Sequence, residues 1–327
     1  MKIKKYNEIM ALPLKETEFW IKPIIPKNTI GIIAAPPKQL KSLFVMACAL
    51  DIANSKSKKF LDEFDIEHGV VVIIDMENSL NLNHRRLVKF KQTEETMDLD
   101  LYFISIDDQL VRIYTKDESV VYQKDCIELI SFLEKNIKPD LIIIDSLIRI
   151  HDTDENSASE MNKVYLQFKE IQRKLNCSII ILHHKNKLNK SMRGSSDILA
   201  MVDWHYDLKE IKTNIYQLTV MNTREKKLIA GFIFEVKDVD DNTRLNFEFK
   251  RYLEFGETNK SKITKVGGCV NGILKYLKTN GDDTFYRRDI KDFTGANDNT
   301  INNALKKLLK DEIIGKVDDR GKYKYLP

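Results

Sequence analysis

Glycine is scarce in this chain, 12 among 327 residues, and none lies between Gly31 and Gly69. That gap covers the stretch from Ile30 to Ser42, I-G-I-I-A-A-P-P-K-Q-L-K-S, which otherwise follows the phosphate-loop pattern G-x-x-x-x-G-K-[ST]. Both motif glycines are missing, with Ala35 at the first position and Leu40 at the second. Cysteine is sparse too: Cys48, Cys126, Cys177 and Cys269 are scattered among apolar residues. That usage excludes a disulfide or zinc framework and reads as reduced core thiols. No apolar run reaches the length of a bilayer span, and the basic start Met1-Lys2-Ile3-Lys4-Lys5 is not followed by a signal-type apolar region. The expectation is a cytoplasmic protein without a membrane partner. Internal repeats and low-complexity tracts are absent as well.

What is present suits a globular protein with a sizeable core, 43% apolar and 31% charged. The length fits one large domain plus a small one, or two of moderate size. The net charge of +4 is unevenly spread. Residues 262–327 hold fourteen Lys and Arg against nine Asp and Glu, leaving 39 against 40 elsewhere. A basic C-terminal segment is what contact with a polyanion requires.

Apolar runs alternate with helical patterns over residues 30–236. The runs predict strands at 29–34, 70–75, 101–104, 141–145, 178–182, 203–209, 215–222 and 232–236, with helices near 42–54, 79–91, 121–136 and 157–175. Such alternation predicts a parallel sheet covered on both faces, with the later, closely spaced strands antiparallel. Ser157-Ala158-Ser159-Glu160 has the form of a capping box. The polar stretch 254–267 reads as a linker between a large domain, 1–253, and a small domain, 268–327. Three helical patterns in the latter, 269–278, 287–293 and 299–310, precede a hairpin at 313–326. That order predicts a winged helix. Its recognition helix would present Asn302, Asn303, Lys306, Lys307 and Lys310 to a DNA groove, with Arg320 and Lys322 of the wing near phosphate. Winged helices also mediate protein contacts.

A phosphate loop needs a lysine for the β- and γ-phosphates, a hydroxyl for Mg²⁺ and backbone N–H groups at a helix N-terminus. Lys41, Ser42 and the following helix supply these, with Ala35, Pro36, Pro37, Lys38, Gln39 and Leu40 as the cradle. Glycine is favoured there because it permits positive φ and close backbone approach. Leu40 must therefore turn its side chain away from phosphate. On this motif alone a working loop and a degenerate one both stay open.

Three further strand ends carry polar groups. Asp145 closes L-I-I-I-D, either as the Walker B carboxylate that orients Mg²⁺ or as a strand cap. V-V-I-I-D-M-E-N places Asp75 and Glu77 at the end where ligands of open α/β sheets bind. Two residues apart on extended chain, they share a face, and Glu77 is the better candidate to polarise a water. The alternative is a salt bridge to Arg85 or Arg86. S-I-I-I-L-H-H ends in His183 and His184, one of which can sense a terminal phosphate. Adjacent strand residues face opposite ways, so the pair is a poor metal chelate. The loop 185–196 holds Lys185, Lys187, Lys190 and Arg193 without an acid, which suits a nucleic-acid backbone or a solvated surface. Arg224 is either a finger reaching a neighbouring subunit or an ordinary surface arginine.

Together these segments resemble the RecA-like ATPases of the plasmid RepA type, relatives of the hexameric DnaB-type replicative helicases. The resemblance covers roughly residues 18–236. It is carried by Phe19-Trp20-Ile21 through Ile25-Pro26, residues 35–42, Asp75-Met76-Glu77-Asn78, Ile144-Asp145-Ser146-Leu147 with His151 through Asn156, His183-His184-Lys185 and Arg193-Gly194-Ser195-Ser196. It implies an α/β fold: a RecA-like P-loop NTPase core of mostly parallel sheet with antiparallel edge strands, beside the small winged helix. It implies ATP and Mg²⁺ held by Lys41 and Ser42, Glu77 as catalytic base, Asp145 as Walker B residue, His184 or His183 as γ-phosphate sensor, and Arg86 near the nucleotide. The plasmid helicases carry a finger arginine where this chain reads Met201-Val202-Asp203-Trp204, so that role falls to Arg193 or Arg224 or is absent. The implied function is a ring-forming motor, a hexamer on single-stranded and duplex DNA, acting as replicative helicase of a plasmid, phage or similar element, with a primase or replication initiator as partner. The alternatives are an ATP-switched DNA-binding initiator or regulator without unwinding, and a scaffold with a dead loop.

Overall fold

The computed structural model describes residues 3–14, 16–37, 39–90, 99–108, 110–114, 123–185, 197–224, 228–239, 244–255, 273, 284–294, 298–310, 314–317 and 322–325. The chain forms two compact units, Met1–Phe255 and Gly256–Pro327. Most of the predicted linker lies outside the described residues.

The larger unit begins with a short helix, α1 (Tyr6–Met10), and a hairpin of β1 (Phe19–Ile21) with β2 (Ile25–Pro26). Strand β3 (Ile30–Ala35) leads into helix α2 (Lys41–Ala53), and a small hairpin follows, β4 (Lys59–Phe60) with β5 (Phe64–Asp65). Then come β6 (Val71–Asp75), α3 (Leu80–Lys89), β7 (Leu101–Ser105), α4 (Gln123–Asn136), β8 (Leu141–Asp145), α5 (Ala158–Leu175), β9 (Ser178–His184) and a short α6 (Asp197–Met201). Strands β10 (Trp204–Lys212), β11 (Ile215–Thr223), β12 (Gly231–Val239) and β13 (Arg244–Tyr252) complete the unit.

Nine strands make one sheet in the order β13-β12-β11-β10-β3-β9-β8-β6-β7. From β10 to β7 every pairing is parallel, and from β10 outward to β13 every pairing is antiparallel. Side chains alternate across it as the pleat demands. Ile33, Ile73, Ile143 and Leu182 face Phe44, Val45 and Cys48 of α2, while Ile32, Ile74, Ile144 and Ile181 face Val164, Phe168 and Ile171 of α5. Each such isoleucine is worth ~1.5–3 kcal/mol on burial. Both faces are therefore core, which is why these strands read as continuous apolar runs.

All eight predicted strands and four predicted helices of this unit are present within a few residues of their bounds. The last strand pair differs. Strand β12 runs on to Val239, and β13, which the sequence reading omitted, pairs with it along its length. Its signal was there: Leu245, Phe247 and Phe249 alternate with Asn246, Glu248 and Lys250. The apolar set packs onto an aromatic cluster with Phe44, Phe64, Phe232 and Phe234. Helix α5 starts as predicted, with the Ser157 Oγ accepting from Glu160 N at 3.4 Å, but Glu160 accepts from Asp154 N rather than closing a capping box.

In the smaller unit β14 (Thr284–Tyr286), β15 (Ile314–Lys316) and β16 (Lys322–Tyr325) form an antiparallel sheet in the order β14-β16-β15. Helices Arg287–Thr294 and Asp298–Lys310 pack Ile290, Ile301, Ala304, Leu305 and Leu308 with Phe285 and Ile314 into a separate core. The second and third predicted helices and both hairpin strands are thus present. Strand β14 was not foreseen because three residues are too few to show a period. The first predicted helix falls outside the described residues except Ile273, which is helical and buried.

Gly31 is required by packing. A Cβ there would meet the Trp204 ring at 1.9 Å, and Trp204 is fixed by its Nε1 donating to Thr29 Oγ1 at 2.9 Å. Gly31→Ala is expected to destabilise the larger unit by ~3 kcal/mol or more through overpacking, read as a lower urea midpoint; an unchanged midpoint would mean that the β3–β10 contact is looser than described.

Candidate functional site

The parallel register brings four strand ends to one edge. Ala35 pairs with His184 and Asp75 with Asp145; β6 and β8 finish level with each other, β3 and β9 run two residues further, and these four residues lie on the α2 side of the sheet. Ligands of open α/β sheets bind outside such ends.

Leu40 adopts the left-handed conformation, φ 46° and ψ 4°, that its motif position reserves for glycine, and its carbonyl accepts from Phe44 N at 2.8 Å to start α2. A leucine there costs ~1–2 kcal/mol. Its side chain is half-buried against the α2-side core, which offsets part of that cost. Gln39 Oε1 accepts from Glu210 N at 3.0 Å and ties the loop to β10. Ala35 and Pro36 are buried, Pro37 is exposed, and Lys38 lies outside the described residues.

Lys41 is 6% exposed, and its Nζ lies 3.4 Å from His184 Nδ1. Burial lowers its pKa, and the charges of Asp145 and Glu77 oppose that fall. Ser42 Oγ donates to Asp145 Oδ2, whereas Asp145 Oδ1 is buried without a hydrogen-bond partner. Burial, and then the neighbouring Asp75 charge, push the Asp145 carboxyl up to about 6. Glu77 Oε2 accepts from Ser146 Oγ at 3.0 Å and lies 3.6 Å from His184 Nε2. The His184 ring first, then Ser146 and the Lys41 charge, hold Glu77 at about 2 against the effect of burial.

Asp75 and Glu77 do not act as a same-face pair, because β6 ends at Asp75 and the chain turns. Asp75 Oδ1 accepts from the backbone N of Glu77 and of Asn78, and its Oδ2 accepts from Asn83 Nδ2 at 2.8 Å. Its partners are amides rather than Arg85 or Arg86. Arg86 instead reaches Asn78 Oδ1 and Asn83 Oδ1, both at 3.4 Å, and so braces this turn. Ser146, Asn78 and Asn83 are the residues that sequence reasoning left without roles. Ser146 and Asn78 lie inside the motif segments, while Asn83 shows only as a polar residue on the buried side of α3.

Of the two histidines, His184 faces the site. His183 points through the opposite face, 1% exposed, with its Nδ1 3.8 Å from Glu155 Oε1. Lys185 requires a correction. Its ammonium pairs with Asp207 Oδ2 at 2.6 Å and is 9% exposed, so it is a buried anchor rather than part of a solvated basic loop. Arg224 is also engaged within the chain, with Nη1 3.3 Å from Asp203 Oδ1 and Nη2 donating to the carbonyls of Ala200 and Met201. Lys187, Lys190, Arg193 and Arg320 lie outside the described residues, as do the side chains of Lys307 and Lys310. Asn302, Asn303 and Lys306 are exposed on helix Asp298–Lys310, and Lys322 lies over the Tyr286 ring at 5.7 Å.

The donor set fits Mg²⁺ with nucleotide: a serine hydroxyl beside a carboxylate whose second oxygen has no partner, facing a lysine. Among the described residues no group of three or more His, Cys, Asp or Glu forms a metal cage. Mg²⁺ in phosphate sites needs none, since it takes one or two protein oxygens plus phosphates and water.

A parallel sheet with a lysine and hydroxyl opening the helix after its first parallel strand, and carboxylates on neighbouring strand ends, defines a P-loop ATPase-type domain. The AAA domain family model matches residues 4–190, more than half of the chain, and the chain belongs to that family. No curated protein matches the chain. Among the described residues no helix is long and apolar enough to cross a membrane. Cys48, Cys126 and Cys177 are free and buried, as expected.

Two outcomes follow from this geometry. Leu40→Gly is expected to be more stable than Leu40→Ala by ~1 kcal/mol, since both lose the packing but only glycine is free of the positive-φ penalty. Equal unfolding midpoints would contradict the backbone geometry. Asp145 carries a folded pKa of about 6, above its unfolded value of about 3.9, so its ionisation subtracts stability as pH rises through that window. In metal-free buffer Asp145→Asn is expected to be the more stable protein at neutral pH, by on the order of 2 kcal/mol. The gain should vanish near pH ~4. Urea unfolding at both pH values checks it.

Proposed function

We propose that this chain is an ATP-hydrolysing, ring-forming RecA-like motor that acts on DNA, akin to the plasmid RepA and DnaB-type helicases. The observation that carries this reading is the convergence of Lys41, Ser42, Glu77, Asp145 and His184 on one crevice. The loop backbone and α2 N-terminus cradle the phosphates, and Lys41 turns its buried ammonium to the terminal pair. Ser42 and Asp145 would hold Mg²⁺, which on binding neutralises charge between the β- and γ-phosphates. Glu77 orients the attacking water and takes its proton. His184 is the γ-phosphate sensor: as it and Lys41 turn towards phosphate, Glu77 loses the partners that hold its pKa down and becomes a stronger base.

The smaller unit is read as a winged helix, supported by its two helices and three-stranded sheet and by the surplus of basic residues over 262–327. Asn302, Asn303, Lys306, Lys307 and Lys310 are its duplex-facing set, with Arg320 and Lys322 at phosphate. Lys187, Lys190 and Arg193 are the single-strand contacts; Lys185 is not, because Asp207 holds it. Arg193 is the finger candidate, since Arg224 would first have to leave Asp203. That engagement of Arg224 favours the second reading, an ATP-switched DNA-binding initiator or regulator without unwinding.

ATP turnover with and without single-stranded DNA tests the proposal. Lys41→Ala is expected to abolish nucleotide binding. Glu77→Gln should keep binding while turnover falls ~10²–10⁴-fold. Stimulation by single-stranded DNA with strand separation fits the motor, and ATP-dependent assembly on duplex without separation fits the second reading. Turnover unchanged in both variants would refute the site.

A further inference from the structure

The small sheet has an outer face that the core of its unit does not use. Phe285, Ile314 and Tyr323 turn inward, with the Phe285 and Tyr323 rings stacked at 5.6 Å and helix Asp298–Lys310 packed on the same core. Successive residues of a strand alternate in direction. Tyr286 pairs with Lys322, and Thr284 and Gly315 both pair with Lys324. Tyr286, Lys322 and Lys324 therefore share the face turned away from the helices, and Gly315 adds no side chain to cover it. This face is separate from the exposed side of helix Asp298–Lys310, which holds Asn302, Asn303 and Lys306.

Tyr286 stands 37% exposed at the corner where β14 runs into the next helix. Its backbone N donates to Asp289 Oδ2 at 2.8 Å, which fixes that corner. The Arg288 guanidinium lies 5.1 Å over the ring while its side chain remains 79% exposed, and Lys322 Nζ lies 5.7 Å over the same ring. Lys324 is exposed beside them. Strands β14, β15 and β16 carry Lys316, Lys322 and Lys324 and no acid. Asp289 is engaged by the Tyr286 amide and lies 3.6 Å from Arg288 Nε. Asp282, Asp283, Asp318 and Asp319 lie outside the described residues. We propose that this face is a site for single-stranded DNA, in which an unpaired base stacks on the Tyr286–Arg288 layer while Lys322 and Lys324 meet the flanking phosphates. Aromatic rings and guanidinium planes both stack with bases, and cations beside them track a backbone without reading sequence. A blunt duplex keeps its bases inside the helix and offers this face phosphate alone. The choice of DNA rests on the proposed function, but the stacking uses no ATP.

Photocross-linking tests it: the full chain, without nucleotide, is irradiated with oligothymidylate carrying one iododeoxyuridine, and the adduct is mapped by mass spectrometry. The adduct is expected on Tyr286, and blunt duplex with the same base should give none there. In titrations with the single strand, Tyr286→Ala should weaken binding ~5–100-fold, and Tyr286→Phe should bind like the wild type. Lys324→Ala, at a second exposed position, should make the slope of log K against log salt shallower by ~0.7. Adducts confined to other segments, equal labelling of Tyr286 by blunt duplex, or Tyr286→Ala and Lys324→Ala both binding like the wild type would each overturn the proposal. Lost ATP turnover with the Tyr286 adduct intact would count against the motor alone, and an active motor without that adduct would count against this site alone.

Discussion

Lys41 keeps an ammonium almost wholly out of water, and the arrangement around it follows from that constraint. A buried cation needs anions close by, and they come from strands brought level by the parallel register, Asp145 on β8 and Glu77 just beyond β6. Asp145 also takes the Ser42 hydroxyl, which ties the first residues of α2 to the sheet. Glu77 is kept from drifting by Ser146 and by the amide knot that Asp75 builds with Asn78 and Asn83. Two carboxylates around one ammonium leave an excess of negative charge and one oxygen, Asp145 Oδ1, without a partner. The site is balanced for a ligand that brings a divalent cation with it.

The end of β9 shows how the pleat divides labour. His183, His184 and Lys185 point alternately. His184 enters the crevice, while His183 meets Glu155 and Lys185 meets Asp207 on the other side. The histidine that touches Lys41 and Glu77 is therefore held from behind by two acid–base contacts to separate elements. The end of β9 is thus anchored to the loop before α5 and to β10.

Much of the larger unit was legible because burial on both faces writes strands as unbroken Val/Ile runs, and because polar residues interrupt those runs only at the ends that meet the crevice. Glu77, Asp145 and His184 were singled out for that reason. Lys185 was misread because sequence shows charge but not pairing: its partner Asp207 lies 22 residues away on a strand beyond β3. Asp75 was misjudged for a related reason, as amide partners carry no charge signature. Strand β13 was missed although its alternation is plain, because its neighbours 240–243 and the polar stretch after it drew the reading towards loop.

The missing glycines look less anomalous in this light. Leu40 takes the backbone shape that glycine would have taken and packs its side chain into the core beneath. The most direct measurement is equilibrium binding of a fluorescent ATP analogue to the full chain, with Mg²⁺ and again after chelation. The account predicts one nucleotide per chain, bound with Mg²⁺ and weakened sharply when the cation is removed. No binding at saturating nucleotide, or binding indifferent to the divalent cation, would contradict it.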